Sequence, residues 1–162
     1  MQNDSIIKKI IQDMFKVDQG LRMYPDPNNI LPMDESGLTL SSYSIYMIDT
    51  CNNYRIHKLI KDFGYPTTKI VDRDTLSNFW LLIQHQDYDI ELQNRCLQNC
   101  DFTPREIALL TDRICINRGQ PQQYGTQFHF VDGDRKLYDI QEPDNLSVRR
   151  QSLGLSDDEV FT

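Results

Sequence analysis

Apolar residues recur at helical spacing along most of the chain. A first amphipathic helix is predicted over residues 5–17, where the apolar side chains share one face. These side chains are Ile6, Ile7, Ile10, Ile11 and Met14. Residues 24–29 hold two prolines and two asparagines, which favour turns, so we predict a variable loop over about 24–40. A second helix is predicted over 41–63, because Gly64 and Pro66 follow it and stop helices.

Helical spacing also predicts three shorter helices. The third helix of the chain is predicted over 74–85, with Asp74 as its N-cap. The fourth is predicted over about 88–99, and a short last helix over 145–153, closed by Gly154. A final turn is expected to begin near residue 156.

The fifth helix has the clearest start in the sequence. Thr103 and Glu106 have the spacing of a capping box, and Pro104 takes the first helical position, where its missing N–H costs nothing. Gly119 follows at the point where the helix should end.

Beyond residue 122 the apolar period changes from about 3.6 to 2, which is typical of strands. Two strands are predicted over 123–130 and 136–140, joined by a turn at Asp132 and Gly133. Since a lone hairpin is marginal in water, its aromatic face should pack on the helices. That face carries Tyr124, Thr126, Phe128 and Phe130. The predicted fold is mainly α: a single-domain helical bundle over 1–162 with an appended C-terminal β-hairpin at about 123–140.

Composition and charge narrow the classes of function. With 39% hydrophobic and 25% charged residues in 162, the chain is long enough for one compact domain with a core. A net charge of −7 argues against nucleic acid or an anionic membrane as partner, because both require a basic face. No apolar run is long enough to span a bilayer, and the amino terminus does not resemble a signal peptide. The four cysteines fall in predicted helices and suit reduced thiols, so we expect a cytoplasmic protein.

Polar residues interrupt the apolar face of the second helix. Asp49 and Asn52 are three apart and continue the face formed by Ile45, Ile48 and Ile56. A buried carboxylate is costly, so Asp49 needs a cationic partner or a water-filled cleft. A structural ion pair and a ligand site both explain the pattern.

The third and fifth helices show the same kind of interruption. Gln84 and His85 follow an apolar run, and His85 suits a general base, a ligand-binding donor or a satisfied core histidine. Asp112 and Arg113 lie among apolar residues and point in different directions, so each needs a partner from another element. We expect Asp49, Gln84, His85 and Arg113 to meet between helices.

The polar face of the hairpin offers a further candidate. Gln123 and Gln127 flank Gly125 and either line the mouth of a pocket or form an ordinary solvent-exposed face. Several classes of site have no matching motif. There is no Cys/His spacing for zinc, no phosphate loop, no dinucleotide fingerprint and no Gly-x-Ser-x-Gly elbow. We therefore expect no metal and no cofactor.

Five ordered segments resemble a widespread bacterial domain family of unknown function. They are 64–67 (GYPT), 81–85 (LLIQH), 110–113 (LTDR), 123–127 (QYGTQ) and 149–155 (RRQSLGL). The resemblance covers about 15–160 and includes Asp18, Gln19 and Arg22, and Asp49 with Asn52 or Asn53. Where this chain has Tyr65 the family often has Trp. The resemblance transfers no activity, but its residues are mostly polar, which favours a functional pocket.

Two hypotheses of function follow. The first is a metal-independent polar pocket for a small anionic or amide-bearing ligand or peptide. Such a pocket serves either binding alone or an enzyme whose general acid/base is His85, oriented by Asp87 or Asp112. In this hypothesis Arg113, Arg149 or Arg150 holds the anion. The ligand-binding residues are Asp49, Asn52, Gln84, Arg113, Gln123, Tyr124, Thr126, Gln127, Arg149 and Arg150. The alternative is an acidic protein–protein module, an immunity-type or regulatory partner of a basic protein. The first hypothesis further predicts that His85, Asp112, Arg113 and Gln127 belong to one site.

Overall fold

The chain is mainly helical and carries a hairpin near its carboxyl end. The computed structural model describes residues 2–23 and 39–157, and in this part of the chain it contains six α-helices and one two-stranded sheet. The predicted fold class is therefore confirmed. Contacts divide the chain into two compact units, residues 1–86 and 87–162. A single domain stays a prediction.

The first unit consists of three helices. They are α1 (Gln2–Met23), α2 (Leu40–Phe63) and α3 (Arg73–Gln84), and α1 packs against both of the others. Their buried apolar side chains include Ile7, Ile11, Met14, Ile56, Leu59, Leu76, Phe79 and Leu82. The helix α1 extends beyond the predicted 5–17 at both ends, and residues 24–38 of the predicted loop lie outside the described part.

The N-cap of α3 lies two residues earlier than predicted. Asp72, not Asp74, is the N-cap, and its carboxylate accepts the backbone N–H of Thr75 at 2.9 Å. The same carboxylate pairs with Lys8 of α1, and these hydrogen bonds hold the pKa of Asp72 well below its usual range. Sequence spacing alone could not distinguish the two aspartates, since both lie near the start of the helix and either is a favoured N-cap residue.

The second unit contains the remaining helices and the hairpin. The elements are α4 (Ile90–Asn99), α5 (Pro104–Asn117), β1 (Phe128–Val131), β2 (Asp134–Leu137) and α6 (Leu146–Leu153). The capping box of Thr103 and Glu106 is present with both of its hydrogen bonds, as predicted. Gly154 ends α6 with a φ of 83°, a left-handed conformation that suits glycine. The turn expected near residue 156 lies partly outside the described residues.

The hairpin is shorter than predicted. Its turn is correct, because Asp132 and Gly133 both have positive φ values, as a two-residue hairpin turn requires. Phe128 packs near Ala108 and Leu155, but Phe130 is 74% exposed, so only part of the predicted aromatic face is buried. Residues 123–127 do not form a strand, because the backbone N–H groups of residues 123, 124 and 126 are bound by a side chain of α5 and that of residue 127 by the side chain of Gln122.

None of the described helices is both long and apolar enough to cross a membrane.

We expect Thr103→Ala to lower the free energy of unfolding by about 1 kcal/mol, because it removes the hydroxyl that caps α5. The control is Thr50→Ala at an exposed position of α2, which should change the free energy by less than about 0.5 kcal/mol. Chemical denaturation of both variants measures the difference. Equal losses in the two would contradict a capping role.

Candidate functional site

A cluster of charged side chains lies where the three helices of the first unit meet. Asp18 and Arg22 come from the last turns of α1, Asp49 from the middle of α2, and His85 from the residue that ends α3. These four residues are called the aspartate–histidine cluster. They come together because α1 packs against both α2 and α3.

Arg22 joins the two carboxylates of the cluster. Its Nη1 donates to Asp18 at 2.6 Å, and its Nη2 donates to both oxygens of Asp49 at 2.8 Å. On its other side, Asp18 lies 3.0–3.1 Å from Nδ1 of His85. Gln19 donates to Asp18 as well, at 2.8 Å. Asp18 therefore accepts hydrogen bonds from three side chains.

Burial affects the pKa values of the two carboxyl groups in this cluster. Asp18 is fully buried and Asp49 is 9% exposed. Burial opposes ionisation of Asp18, but hydrogen bonds from His85 and Gln19 and the charges of His85 and Arg22 outweigh it, so its pKa lies below the usual range. Burial raises the pKa of Asp49 above its usual range, although Arg22 acts in the opposite direction. The two carboxylates of one cluster thus differ in their ease of protonation.

The sequence anticipated part of this arrangement. Of the two predicted ways to compensate the buried Asp49, a cation or a water-filled cleft, the structure shows the cation, which is Arg22. The carboxylate that contacts His85 is Asp18, whereas the sequence predicts Asp87 or Asp112 in this position. A signal for Asp18 was present, since it continues the buried stripe of Ile7, Ile11 and Met14 on α1. Gln84, next to His85, is half-buried.

The cluster also has the spacing of a metal site. Among the described residues, ligand atoms of Asp18, Asp49 and His85 lie within 4.8 Å of one another. However, the guanidinium of Arg22 bridges the two carboxylates and already supplies a positive charge there. A metal ion at this place would have to displace Arg22 or tolerate its repulsion.

In the second unit, Asp112 organises a loop. Its carboxylate is fully buried and accepts the backbone N–H groups of Gln123, Tyr124 and Thr126 at 2.6–3.2 Å. Burial raises the pKa of Asp112, although these N–H groups and the Thr126 hydroxyl lower it. The loop 122–127 is therefore folded around one carboxylate of α5.

Two glutamines hold the same loop from within. Gln122 is fully buried, its Nε2 donates to the carbonyls of Gln127 and Tyr138, and its Oε1 accepts the Gln127 N–H. The side chain of Gln127 donates to the carbonyl of Leu109 on α5. At Gly125 φ is +68°, and a Cβ would lie 3.3 Å from a side-chain carbon of Ile140, so this position requires glycine.

Two arginines of α6 complete the support. Arg149 donates its Nε to the carbonyl of Gln123, and Arg150 donates its Nε to the carbonyl of Tyr124, both at 2.9 Å. Their other nitrogens donate to the carbonyl oxygens of Gly125, Gln141, Glu142 and Asp157. Because both guanidinium groups donate to backbone carbonyls, they stabilise the loop. These hydrogen bonds do not favour the predicted role of Arg149 and Arg150 in holding an anion.

Arg113 also has a partner within its own unit. It forms a bidentate pair with Asp87 at 2.5–2.6 Å, and Asn117 donates to the same carboxylate. The pair is partly exposed, so it resembles a surface salt bridge more than the buried contact that the sequence suggested.

The four residues predicted to form one site belong to different units of the chain. His85 belongs to the first unit, whereas Asp112, Arg113 and Gln127 belong to the second, where each has the partners described above. Their membership in a single site stays a prediction. Within the first unit, the residues brought together are Asp49, His85 and the two that site prediction missed, Asp18 and Arg22.

We expect Asp112→Ala to lower the free energy of unfolding by about 3 kcal/mol, because it leaves several loop N–H groups without an acceptor. Amide hydrogen exchange at residues 123, 124 and 126 should accelerate in parallel. Asp139→Ala, at an exposed position, is the control and should change stability by less than about 0.5 kcal/mol. Unchanged exchange in the loop would show that Asp112 does not organise it.

We expect Asp18→Asn to lower the free energy of unfolding by about 3 kcal/mol near neutral pH, because Arg22 and His85 lose a buried partner. The pKa of Asp18 is depressed in the folded state, so its contribution is present above the ordinary value of 3.8 and is lost as the pH falls below it. The difference between wild type and variant should therefore begin to shrink below about pH 5 and should go on shrinking below pH 3.8.

Denaturation at a series of pH values measures this difference. The exposed turn residue Asp132 offers the control Asp132→Asn, which should stay within about 0.5 kcal/mol of the wild type near neutral pH. A gap between wild type and Asp18→Asn that persists at low pH would mean that the charge of Asp18 is not what stabilises the cluster.

Comparison with known proteins identifies a family for this chain. No curated protein and no solved structure matches it significantly. Residues 31–162, which are most of the chain and include Asp49, His85 and the whole second unit, match a family of unknown function, DUF6624. The chain therefore belongs to the family of unknown function DUF6624.

Proposed function

We propose that the chain binds a small polar ligand at the aspartate–histidine cluster without a metal ion, and that His85 acts there as a general acid/base. The observation that carries this proposal is the contact of His85 Nδ1 with the fully buried carboxylate of Asp18, at 3.0–3.1 Å.

A carboxylate on Nδ1 determines which nitrogen of the imidazole carries the proton. Asp18 accepts an N–H from Nδ1, so in the neutral ring Nε2 keeps its lone pair and can take a proton from a ligand. When Nε2 gains that proton, the negative charge of Asp18 stabilises the imidazolium. His85 is thereby oriented by Asp18, as a general base requires.

The surroundings of Asp18 support this role. The hydrogen bonds from His85 and Gln19, together with the positive charge of Arg22, keep the pKa of the Asp18 carboxyl below its usual range, which favours an ionised partner for the imidazole. The side chain of His85 is 15% exposed, which leaves part of the ring accessible. A buried acid that stays charged beside a partly accessible histidine is an arrangement suited to proton transfer.

Arg22 also supports a metal-free site. Its guanidinium already compensates Asp18 and Asp49 and would repel a second cation. Dialysis against a chelator should accordingly leave the melting temperature unchanged, and a loss of several degrees would contradict metal independence.

The protonation of His85 can be measured by ¹⁵N NMR, because the chain has only three histidines. At alkaline pH, where imidazole is neutral, His85 should carry its proton on Nδ1, and Asp18→Asn should weaken this preference. The exposed His57 serves as the internal reference. A proton on Nε2 of His85 would overturn the general-base role.

Function is tested with a panel of small amides, esters and organic acids, screened for binding and turnover. His85→Gln should abolish turnover of any substrate found, while the matched control His57→Gln should leave it intact. A salt-sensitive complex with a basic protein that survives His85→Gln, with no small ligand bound, would instead favour the acidic interaction module.

A further inference from the structure

One buried donor beside the aspartate–histidine cluster has no acceptor among the residues that the structure describes. Nδ2 of Asn52 makes no hydrogen bond within the described part of the chain, and the residue is 2% exposed. Such groups are rare in folded proteins, because a buried N–H without an acceptor destabilises the fold. A bound ligand that supplies the acceptor would account for it.

The helix arrangement puts Asn52 beside the cluster. Arg22, near the end of α1, contacts Asp49, while Ile10, several turns earlier on α1, shares a groove with Leu59, which lies further along α2. The two helices therefore run antiparallel. Asn52 comes one turn after Asp49 and so lies level with Asp18, one turn before Arg22.

Asp49 has spare capacity as an acceptor. Among the described residues its donor is a single nitrogen of Arg22, whereas Asp18 accepts from three side chains. A carboxylate offers about four lone-pair positions, so Asp49 can accept another hydrogen bond. A free donor on Asn52 and a free acceptor position on Asp49 thus lie one helical turn apart on one face of α2.

The charges of the cluster disfavour an anion. Two buried carboxylates, Asp18 and Asp49, face the single guanidinium of Arg22. An anion placed beside Asp49 would be repelled by a carboxylate that little water screens. This balance argues against the anionic ligand that the sequence suggested as one of two options.

We propose that the ligand of this site is a neutral carboxamide, whose carbonyl oxygen accepts from Asn52 Nδ2 and whose N–H donates to Asp49. An amide has both groups side by side, which matches one donor and one acceptor on adjacent turns of a helix. The inference rests on the proposed function, since it names the class of ligand for the same cluster. Asn52 is then a ligand-binding residue whose unsatisfied N–H lowers the stability of the ligand-free protein.

Three small molecules of nearly the same shape test this choice. Acetamide is neutral and has a carbonyl and an N–H, acetate is the anion, and acetamidinium is a cation without a carbonyl. Each is titrated to about 100 mM into the full chain, since such small fragments make few contacts and bind weakly. Side-chain amide signals of Asn52 and ring signals of His85 are followed by NMR.

Acetamide should shift both sets of signals in a saturable way and bind at least about tenfold more tightly than either charged analogue. Asn52→Leu should remove this binding and leave the melting temperature equal or higher, because an unpaired polar group is replaced by an apolar one of similar size. The control, Asn99→Leu at an exposed position, should bind acetamide like the wild type.

The outcomes distinguish this inference from the proposed function. If acetamide does not bind, or if acetate or acetamidinium binds more tightly, the carboxamide class is wrong, while a proton on Nδ1 of His85 leaves the general-base role in place. If Asn52→Leu binds acetamide normally and is strongly destabilised, Asn52 is structural and the inference fails. If acetamide binds but the proton of His85 lies on Nε2, the ligand class holds and the general-base role falls.

Discussion

A carboxylate that is removed from water must be compensated where it lies, and each unit of this protein is organised around one such group. In the first unit the group is Asp18, which ties the end of α1 to α2 through Arg22 and to α3 through His85. In the second unit it is Asp112, which holds the loop 122–127 on α5. Without these partners, each buried carboxylate would strongly destabilise the folded state.

The two solutions differ in what they leave for a ligand. Asp112 is compensated by backbone N–H groups of its own chain, and the side chains around it, Gln122 and Arg149 among them, also bind backbone atoms. Asp18 is compensated by other ionisable and polar side chains, which can change protonation or partner. A network whose hydrogen bonds end on backbone atoms stabilises a fold. A network of titratable side chains, beside an Asn52 amide whose Nδ2 has no acceptor among the described residues, is suited to ligand binding and proton transfer.

This difference explains why a motif rich in polar residues is ambiguous. The segments QYGTQ and RRQSLGL have the composition of a binding site, yet Thr126, Gln127, Arg149 and Arg150 make hydrogen bonds that build a loop. The backbone N–H and C=O groups of a buried loop need hydrogen-bond partners even where no neighbouring strand supplies them. In this loop, polar side chains are those partners. Asp18 lies outside these segments and has the histidine as its partner.

The sequence by itself determined the helices, the capping box at Thr103, the turn at Asp132 and the need of Asp49 for either a cation or a water-filled cleft. These depend on local spacing and on the cost of burying a charge, which residue order expresses directly. Only the tertiary structure decided that Arg22 is that cation, that Asp18 orients His85, and that residues 123–127 fold around Asp112 instead of forming a strand. Each of these contacts joins residues well separated along the chain, and a side chain's partner at such a distance depends on how helices pack, which no local pattern encodes.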